Sequence, residues 1–255
     1  MISDIKGFND FLAHKSIAKL SGLNKIFIKK QVVQVSSCDK YNIYGIHEIE
    51  SDTECNTQAI FYIVEYSDFC NRQFCSGDCR QFKLLVSDSQ IQERNEQFKE
   101  NVFLEFDRPQ KCTFCCFKRP EMYINLKNST STFYIGKVLM PFKLFNSSYQ
   151  LNAFDMNDNL KYIMKENCCS FNICCGGCDC KKTCKEQYFK IYDQNYQELT
   201  AVKAINYNCQ KSCLKAINDK IHEFPKSAST QDKILLIATI IMYDMTFFEM
   251  DCRRR

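Results

Sequence analysis

The C-terminal segment constrains the fold most, because it is apolar on every side of a helix. From Ile234 to Phe248, only Thr239, Asp244 and Thr246 are polar. A helix with this composition must be enclosed by protein or embedded in lipid, since no face of it is suited to water. Any fold for this chain must therefore provide one of these two surroundings.

Length and flanking charge favour enclosure by protein. Ser229, with Asp232 three residues on, is typical of a capping box, and the arginines at 253–255 follow the helix end, where the dipole favours cations. Fifteen helical residues extend about 22 Å, against a hydrocarbon core of about 30 Å. Asp244 is costly in lipid, and an outward crossing would oppose the positive-inside tendency. We predict that Asp244 finds a donor inside the protein, with membrane crossing as the alternative.

Alternating apolar and polar residues predict about a dozen short strands in the middle of the chain. Phe82, Leu84 and Val86, for example, alternate with their neighbours, and turn-forming residues separate several segments. The predicted strands lie near residues 25–35, 41–50, 59–66, 81–87, 101–107, 121–126, 133–140, 142–146, 149–154, 159–165, 188–193 and 198–206. Because no helix alternates with these strands, a meandering antiparallel sheet is favoured over a parallel one.

A closed barrel would enclose the apolar C-terminal helix, and the helix would fill the barrel. About eight strands already leave room for side chains inside a barrel, so about twelve strands need a filling, and closure removes exposed sheet edges. We therefore predict a β fold, a closed antiparallel barrel of about twelve strands surrounding the apolar helix at 231–250. The barrel would cover residues 23–252, with a lead segment at 1–22 and a basic tail at 253–255.

Eighteen cysteines are unusual in a chain whose N-terminus has no secretory signal. In the cytosol, where we place such a chain, thiols stay reduced and serve metal binding, lipidation or packing rather than a disulfide framework. The net charge of +4 is too small to indicate a nucleic-acid partner. No Walker-type phosphate loop and no GxGxxG fingerprint is present, and the three histidines are far apart. We therefore expect neither nucleotide-driven work nor histidine-based catalysis.

The cysteines form clusters between the predicted strands: Cys70, Cys75 and Cys79; Cys112, Cys115 and Cys116; seven thiols from Cys168 to Cys184; and Cys209 with Cys213. In a strict up-and-down meander, the predicted strands place the first two clusters at one barrel end and the third at the other. The third cluster also suits Zn²⁺ binding, because Cys175, Cys178, Cys180 and Cys184 have spacings typical of the ligands of one structural site. Inert buried thiols are the alternative.

Several motifs between residues 23 and 250 together resemble those of the phospholipid scramblase family, whose fold is similar to tubby and to the plant LURP-one-related proteins. They are Leu-Asn-Lys-Ile-Phe-Ile-Lys-Lys-Gln-Val at 23–32, Phe-Cys-Asn-Arg-Gln-Phe-Cys at 69–75, Arg-Pro-Gln-Lys-Cys-Thr-Phe-Cys-Cys at 108–116, Ile-Gly-Lys-Val at 135–138, Tyr-Phe-Lys-Ile at 188–191 and Phe-Pro at 224–225. The end of the central helix completes the set with Asp244, Phe247, Phe248 and Glu249.

The resemblance implies a twelve-stranded barrel around a central helix and a scramblase function. That function is Ca²⁺-stimulated, ATP-independent, bidirectional movement of membrane phospholipids between leaflets, without covalent catalysis. The resemblance also implies the cytoplasmic face of the plasma membrane, with attachment through acylated cysteines or the C-terminal helix. Cys112, Cys115 and Cys116 match the family's S-palmitoylation sites. The alternative is a non-transporting lipid- or protein-binding module of tubby-like fold.

The family's calcium site is an acidic loop before the central helix, and this chain departs from it. The acidic positions fall here on Ala216, Asn218, Ser227 and Ser229. Ca²⁺ takes six to eight oxygen ligands, several of them carboxylates. The oxygen-bearing residues that remain nearby are Asn218, Asp219, Glu223 and Ser227. They form either a weakened calcium site or an ordinary polar loop that leads to the helix cap.

Overall fold

Twelve antiparallel strands form a closed barrel in a computed structural model that describes residues 15–35, 40–50, 58–68, 80–89, 96–110, 119–127, 131–142, 148–167, 186–206 and 218–248. The strands are β1 Lys25–Gln34, β2 Lys40–Glu48, β3 Phe61–Tyr66, β4 Phe82–Ser87, β5 Val102–Arg108, β6 Glu121–Lys127, β7 Thr132–Leu139, β8 Ser148–Asp155, β9 Leu160–Asn167, β10 Glu186–Tyr192, β11 Glu198–Asn206 and β12 Asn218–Glu223. The predicted barrel architecture is confirmed.

Each strand pairs with the next one along the chain, and β12 closes the barrel against β1. At this seam Phe27 lies opposite Ile221, and on its other side Phe27 lies opposite His47 of β2. The barrel has two ends. We call the end that contains Lys25 and Glu223 the proximal end, because the central helix follows β12 there. The distal end contains the opposite termini of the same strands.

One barrel strand was missed, and one predicted strand is not among the twelve that form the barrel. In the barrel, β7 pairs directly with β8, and the strand predicted near 142–146 falls almost entirely outside the described residues. Phe142 lies beyond the end of β7, and residues 143–147 lie outside the described residues. The twelfth strand is β12 instead. Its lumen-facing positions carry Lys220 and His222, so it lacks the apolar alternation by which the other strands were recognised.

Three helices accompany the barrel: α1 Lys15–Gly22, α2 Glu96–Glu100 and α3 Thr230–Tyr243, the last continued by a π-helical turn over Asp244–Phe248. Every residue of α3 from Lys233 onward is buried. These residues share one core with lumen-facing side chains of β1 to β11, so α3 fills the barrel as predicted. For example, the ring centroids of Phe189 and Tyr243 are 4.7 Å apart. Within the described residues, no helix has both the length and the apolar character needed to span a bilayer.

The two short helices cover different surfaces of the barrel. Ile17 and Leu20 of α1 belong to the same core as α3, so residues ahead of the predicted barrel boundary contribute to its interior. Ser16 Oγ donates a hydrogen bond of 2.8 Å to Asp88 just beyond β4, at the proximal end. Phe98 of α2 is fully buried against the outer faces of β2 to β4. The outward-facing positions of these strands are apolar because α2 packs on them.

The strand order corrects the expected distribution of the cysteine clusters. All eighteen cysteines lie outside the described residues, but the strands that flank their segments are described. Sixteen of them belong to the β1–β2, β3–β4, β5–β6, β9–β10 and β11–β12 connections, each of which joins two strands at the distal end. The strand ends that flank the third cluster are therefore at the same end of the barrel as those that flank the first two. The prediction had counted an additional strand near 142–146, which reverses the end assigned to every later connection.

Candidate functional site

A buried ionic cluster surrounds Asp244 at the distal end of α3. The carboxylate of Asp244 accepts a hydrogen bond of 2.7 Å from Lys30 Nζ and one of 2.8 Å from Tyr44 Oη. Lys220 Nζ donates to its other oxygen. Asp244, Tyr44 and the two lysines are all buried, and they join the helix to β1, β2 and β12. The predicted donor for Asp244 is thus a set of three groups on three strands.

The charges of this cluster determine its protonation state. Burial alone would raise the pKa of Asp244, but the ammonium groups of Lys220 and Lys30 lower it below its ordinary value. The pKa of Lys220 is lowered by burial, although the carboxylate of Asp244 counteracts that effect. The carboxylate therefore stays ionised, and it depends on its lysines because an isolated charge in a protein interior is very costly.

A second polar contact lies next to the cluster. Arg108 of β5 is 1% exposed and donates from Nη1 to Thr246 Oγ1 at 3.3 Å. Its guanidinium carbon lies 5.1 Å from the ring centroid of Phe82, within the range of a cation–π contact. The distal half of the lumen thus contains charged side chains, whereas most side chains around the middle of α3 are apolar.

A further buried charge, Glu65 of β3, belongs to the same end of the barrel. Its carboxylate accepts hydrogen bonds from Asn42 Nδ2 at 2.7 Å, from Ser67 Oγ at 2.7 Å and from the guanidinium of Arg80. Burial would raise the pKa of Glu65, but Arg80 and these hydrogen bonds lower it. This network connects β2 to β3 near the connection that contains Cys70, Cys75 and Cys79.

The proximal end of α3 is fixed by backbone acceptors and by its cap. Ser229 and Asp232 form the predicted capping box. Lys233 Nζ donates to the carbonyls of Ser21 and Leu23, both at 2.7 Å, and these carbonyls lie at the end of α1. Burial lowers the pKa of Lys233. The central helix is therefore held at both ends by polar contacts, and along its length by apolar packing.

The four candidate calcium residues do not converge. Asn218 and Glu223 occupy opposite ends of β12, five residues or about 16 Å apart in an extended strand. Asp219 accepts the backbone N–H of Lys30 at 3.0 Å, and Ser227 lies in the turn before α3. Burial raises the pKa of Asp219, although the Lys30 hydrogen bond opposes the shift. These residues do not fit the oxygen cage that Ca²⁺ requires.

Most of the remaining site residues predicted from the sequence lie outside the described residues. Phe247 and Phe248 lie in the π-helical turn, and Glu249 lies outside the described residues. The lipidation candidates Cys112, Cys115 and Cys116 and the zinc candidates Cys175, Cys178, Cys180 and Cys184 also lie outside them. Among the described histidines and carboxylates, no group of three could hold a metal.

Sequence reasoning identified Asp244 but missed the residues that bind it. Lys30 and Lys220 are lysines at inward positions of strands, and such a lysine is a detectable departure from apolar alternation once the strand register is known. His222 was missed for the same reason. It faces the lumen two residues after Lys220, and among the described residues its Nε2 has no hydrogen-bond partner.

Fold and site together define a helix-filled β-barrel whose central helix is held in the lumen by ion pairs. The sequence model of the Scramblase family matches residues 6–250, nearly the whole chain, and the chain belongs to that family. No curated protein and no solved structure matches it significantly. Family membership supports phospholipid scramblase function in general, with membrane phospholipids as substrate and association with membranes.

Proposed function

We propose that the protein moves phospholipids in both directions between the leaflets of the plasma membrane, without ATP, from the cytoplasmic face. The family match over residues 6–250 is the observation that carries this proposal. The physical task is to lower the barrier that a charged head group meets in hydrocarbon. Such a task needs a perturbed bilayer rather than a covalent step, so we propose no catalytic residue.

We further propose that the distal end of the barrel faces the membrane. The support is that sixteen cysteines belong to connections at this end, among them Cys112, Cys115 and Cys116 in the β5–β6 connection. One acyl chain gives only reversible binding, so at least two of these three thiols would carry one. Serine substitution of all three should move the protein from the membrane to the soluble fraction of cells. Unchanged membrane recovery would contradict acyl attachment at these positions.

We propose that α3 stays in the barrel while the protein acts. Its removal would separate Asp244 from Lys30 and Lys220, and would place a carboxylate in lipid at a cost of about 2.5–3.5 kcal/mol. The barrel would then perturb lipid from the membrane surface. The other course, insertion of the helix, would carry the arginines at 253–255 across the bilayer.

Leaflet exchange of labelled lipid in reconstituted liposomes tests the function directly. The full chain should raise the exchange rate above that of protein-free liposomes, without ATP and for lipid moving in either direction. A heat-denatured sample of the same chain serves as the control. Exchange at the background rate, with and without Ca²⁺, would reject the scramblase proposal.

Calcium stimulation is a separate proposal that rests on the family resemblance. Because Asp219 and Glu223 do not converge, we propose that any calcium effect arises outside Asn218–Ser227. The variant Asp219→Asn/Glu223→Gln should then show the same response to Ca²⁺ and to a chelator as the parent chain. Loss of the response in this variant alone would place the ligands on β12 after all.

A structural zinc in the β9–β10 connection is a further proposal, from the spacing of Cys175, Cys178, Cys180 and Cys184. It predicts about one zinc per purified chain. Serine substitution of these four thiols should remove the metal, while serine substitution of Cys112, Cys115 and Cys116 should leave it. A chain purified without zinc would reject the site.

A non-transporting lipid- or protein-binding module is the second candidate function. The observation that favours it is the lumen itself, whose described part is filled by α3 and its core contacts. A module of this kind would bind liposomes but leave the exchange of labelled lipid at the background rate. Binding and exchange measured on the same liposomes therefore separate the two functions.

A further inference from the structure

The first two strands form a hairpin that projects beyond the barrel wall at its distal end. β1 and β2 pair continuously over residues 26–34 and 40–48. On the two outer edges of this hairpin the pairing ends earlier. Within the described residues, β12 accompanies β1 only as far as Ile28, and β3 accompanies β2 only as far as Ile43. The distal part of the hairpin is therefore a two-stranded ribbon.

Two carboxylates mark the points where the neighbouring strands leave the ribbon. Asp219 of β12 still pairs with β11, and its Oδ1 accepts the backbone N–H of Lys30 at 3.0 Å. On the other edge, Glu65 Oε2 accepts the backbone N–H of Asn42 at 3.1 Å. Each carboxylate thus binds an N–H that a continuing neighbour strand would have accepted. Beyond these two points the ribbon extends away from the barrel wall.

The outer edge of β1 presents backbone groups that suit an added strand. The N–H and C=O groups of an antiparallel strand point alternately toward its two neighbours. Because the N–H of Lys30 points away from β2, the N–H and C=O groups of Val32 and Gln34 also point away from β2. We call residues 31–35 the β1 edge. An extended strand can exchange hydrogen bonds with its backbone, as in β-strand addition.

The side chains of the β1 edge are uncharged and mostly exposed. No charged residue occurs between Lys30 and Asp39. Sheets usually blunt an exposed edge with a lysine, a proline or a bulge, and residues 31–35 contain none of these. The opposite edge of the ribbon differs, because Lys40 occupies its outermost position. Four of the five β1-edge residues are exposed: Gln31, Val32, Gln34 and Val35.

The β1 edge is complementary to itself in an antiparallel arrangement. A pair centred on Val33 brings Val32 of each copy opposite Gln34 of the other, so the outward N–H and C=O groups of both residues form four intermolecular hydrogen bonds. The same register places Gln31 opposite Val35. Every one of these cross-strand pairs is uncharged, so no like charges oppose the contact.

The barrel wall favours this register over its neighbours. A register shifted toward the barrel would use the N–H of Lys30, which already donates to Asp219. A register shifted the other way would pass beyond Gln34, where β1 ends. The register centred on Val33 therefore uses both available residues of the edge and disturbs neither the carboxylate contact nor the pairing with β2.

We propose that the protein forms a two-fold symmetric dimer through the β1 edge, with the β1 strands of the two copies antiparallel. Such a contact is isologous, since the same residues contribute from both sides. The two barrels extend in opposite directions from the shared ribbon. Five residues of each copy make a small contact, so the dimer is weak and its population rises with protein concentration. This inference does not depend on the proposed movement of lipid.

Sedimentation velocity of the full chain tests the proposal, over a range of concentrations in a reducing buffer that prevents disulfide formation. The parent chain should change from monomer to dimer as its concentration rises. Gln34→Pro removes an N–H that points away from β2, so it should break two of the four intermolecular hydrogen bonds and leave the hairpin paired. The dissociation constant should rise about thirtyfold. The matched control Gln34→Ala keeps the N–H and should dimerise as the parent chain does.

Exchange of charge at the centre of the contact tests the symmetry. Only Val33 lies opposite its own copy in this register, and like charges directly opposite each other destabilise an antiparallel pair whereas opposite charges stabilise it. Val33→Lys and Val33→Glu should each stay monomeric at concentrations where the parent chain dimerises. A mixture of the two variants should recover the dimer, because a lysine then lies opposite a glutamate.

Four results would overturn the proposal. They are a parent chain that is monomeric at every concentration, which would leave an extended segment of another protein as the partner; an unchanged dimer of Gln34→Pro; equal weakening in Gln34→Pro and Gln34→Ala; and a mixture of the Val33 variants that stays monomeric. Unfolding of every variant at the temperature of the parent chain shows that the contact, and not the fold, was changed.

Discussion

Asp244 is the residue on which the interior depends most, because two buried lysines share its carboxylate. The variant Asp244→Asn would leave Lys30 and Lys220 buried without their counter-charge. Removal of one partner from a buried ion pair costs about 3–5 kcal/mol. We expect a loss of this size in the free energy of unfolding, measured by denaturant titration.

The control for this prediction is a carboxylate on the surface. Asp158 pairs with Lys137 at 2.8 Å but is 66% exposed, so Asp158→Asn should cost less than about 1 kcal/mol. A second variant, Asp244→Asn/Lys220→Met, removes one of the stranded charges and should recover part of the stability. Equal effects of Asp244→Asn and Asp158→Asn would contradict a buried ionic cluster.

His222 predicts how stability depends on pH. Burial lowers its pKa to about 4, although a weak contact of Nδ1 with the Ala201 carbonyl opposes the shift. The unfolded chain has a pKa near 6.5 at this residue, so it binds a proton more readily than the folded chain. Stability due to His222 is therefore complete above about pH 6.5 and is lost as pH falls toward 4, by about 3 kcal/mol.

The groups that face His222 make it separable from the other titrating residues. Its cross-strand partners are Ile26 and Val202, the ring of Phe224 lies 4.9 Å away, and Lys220 lies two residues earlier on the same face. The variant His222→Gln should flatten the curve of unfolding free energy between pH 6.5 and 4. An unchanged slope in this variant would show that the pKa of His222 is the same in the folded and unfolded chains, and would contradict the prediction.

At the level of elements, β7 depends on a glycine. A Cβ on Gly136 would lie 2.2 Å from the Phe154 carbonyl of β8 and 2.9 Å from Leu235 of α3. Gly136→Ala must therefore separate β7 from β8 or shift the helix, and overpacking of this kind costs about 1–3 kcal/mol. Chemical denaturation should show this loss. The control Ala153→Gly removes a methyl group from the neighbouring strand β8 instead of adding one. It should therefore leave the separation of β7 and β8 unaltered.

The strands show which parts of the fold were predictable. Most have apolar residues at every second position because one face meets α3, and their bounds followed directly from that alternation. The strand β12 has Lys220 and His222 at its inward positions, and their burial depends on Asp244 and on neighbours that are distant in sequence. Sequence alternation cannot reveal a strand whose inward face is polar, because the compensating charge lies on another element.

The candidate site was predictable only in part for a similar reason. Asp244 was recognisable because it interrupts an apolar helix, but its partners Lys30 and Tyr44 are more than 190 residues distant and became evident only with the barrel closed. The calcium hypothesis depended on a loop before α3. Three of the residues concerned, Asn218, Asp219 and Glu223, lie in β12 instead, which extends them along the barrel, and Ser227 lies in the turn that follows.

At the scale of the whole molecule, the helix-filled barrel predicts the position of the C-terminus. If α3 remains in the lumen, the arginines at 253–255 stay on the same side of the membrane as the rest of the protein. A protease added to the outside of sealed vesicles, with the protein bound there, should remove an epitope fused to the tail. Protection of the epitope, abolished by detergent, would indicate that the helix crosses the bilayer.

The order of the elements along the chain also governs how the protein can be synthesised. The strand that closes the seam and the helix that fills the lumen both belong to the last 38 residues, from Asn218 onward. Until these emerge from the ribosome, β1 to β11 can form only an open sheet with two unpaired edges and an unfilled apolar face. Such a surface favours aggregation. We therefore expect a chain truncated before Asn218 to be recovered mainly in the insoluble fraction.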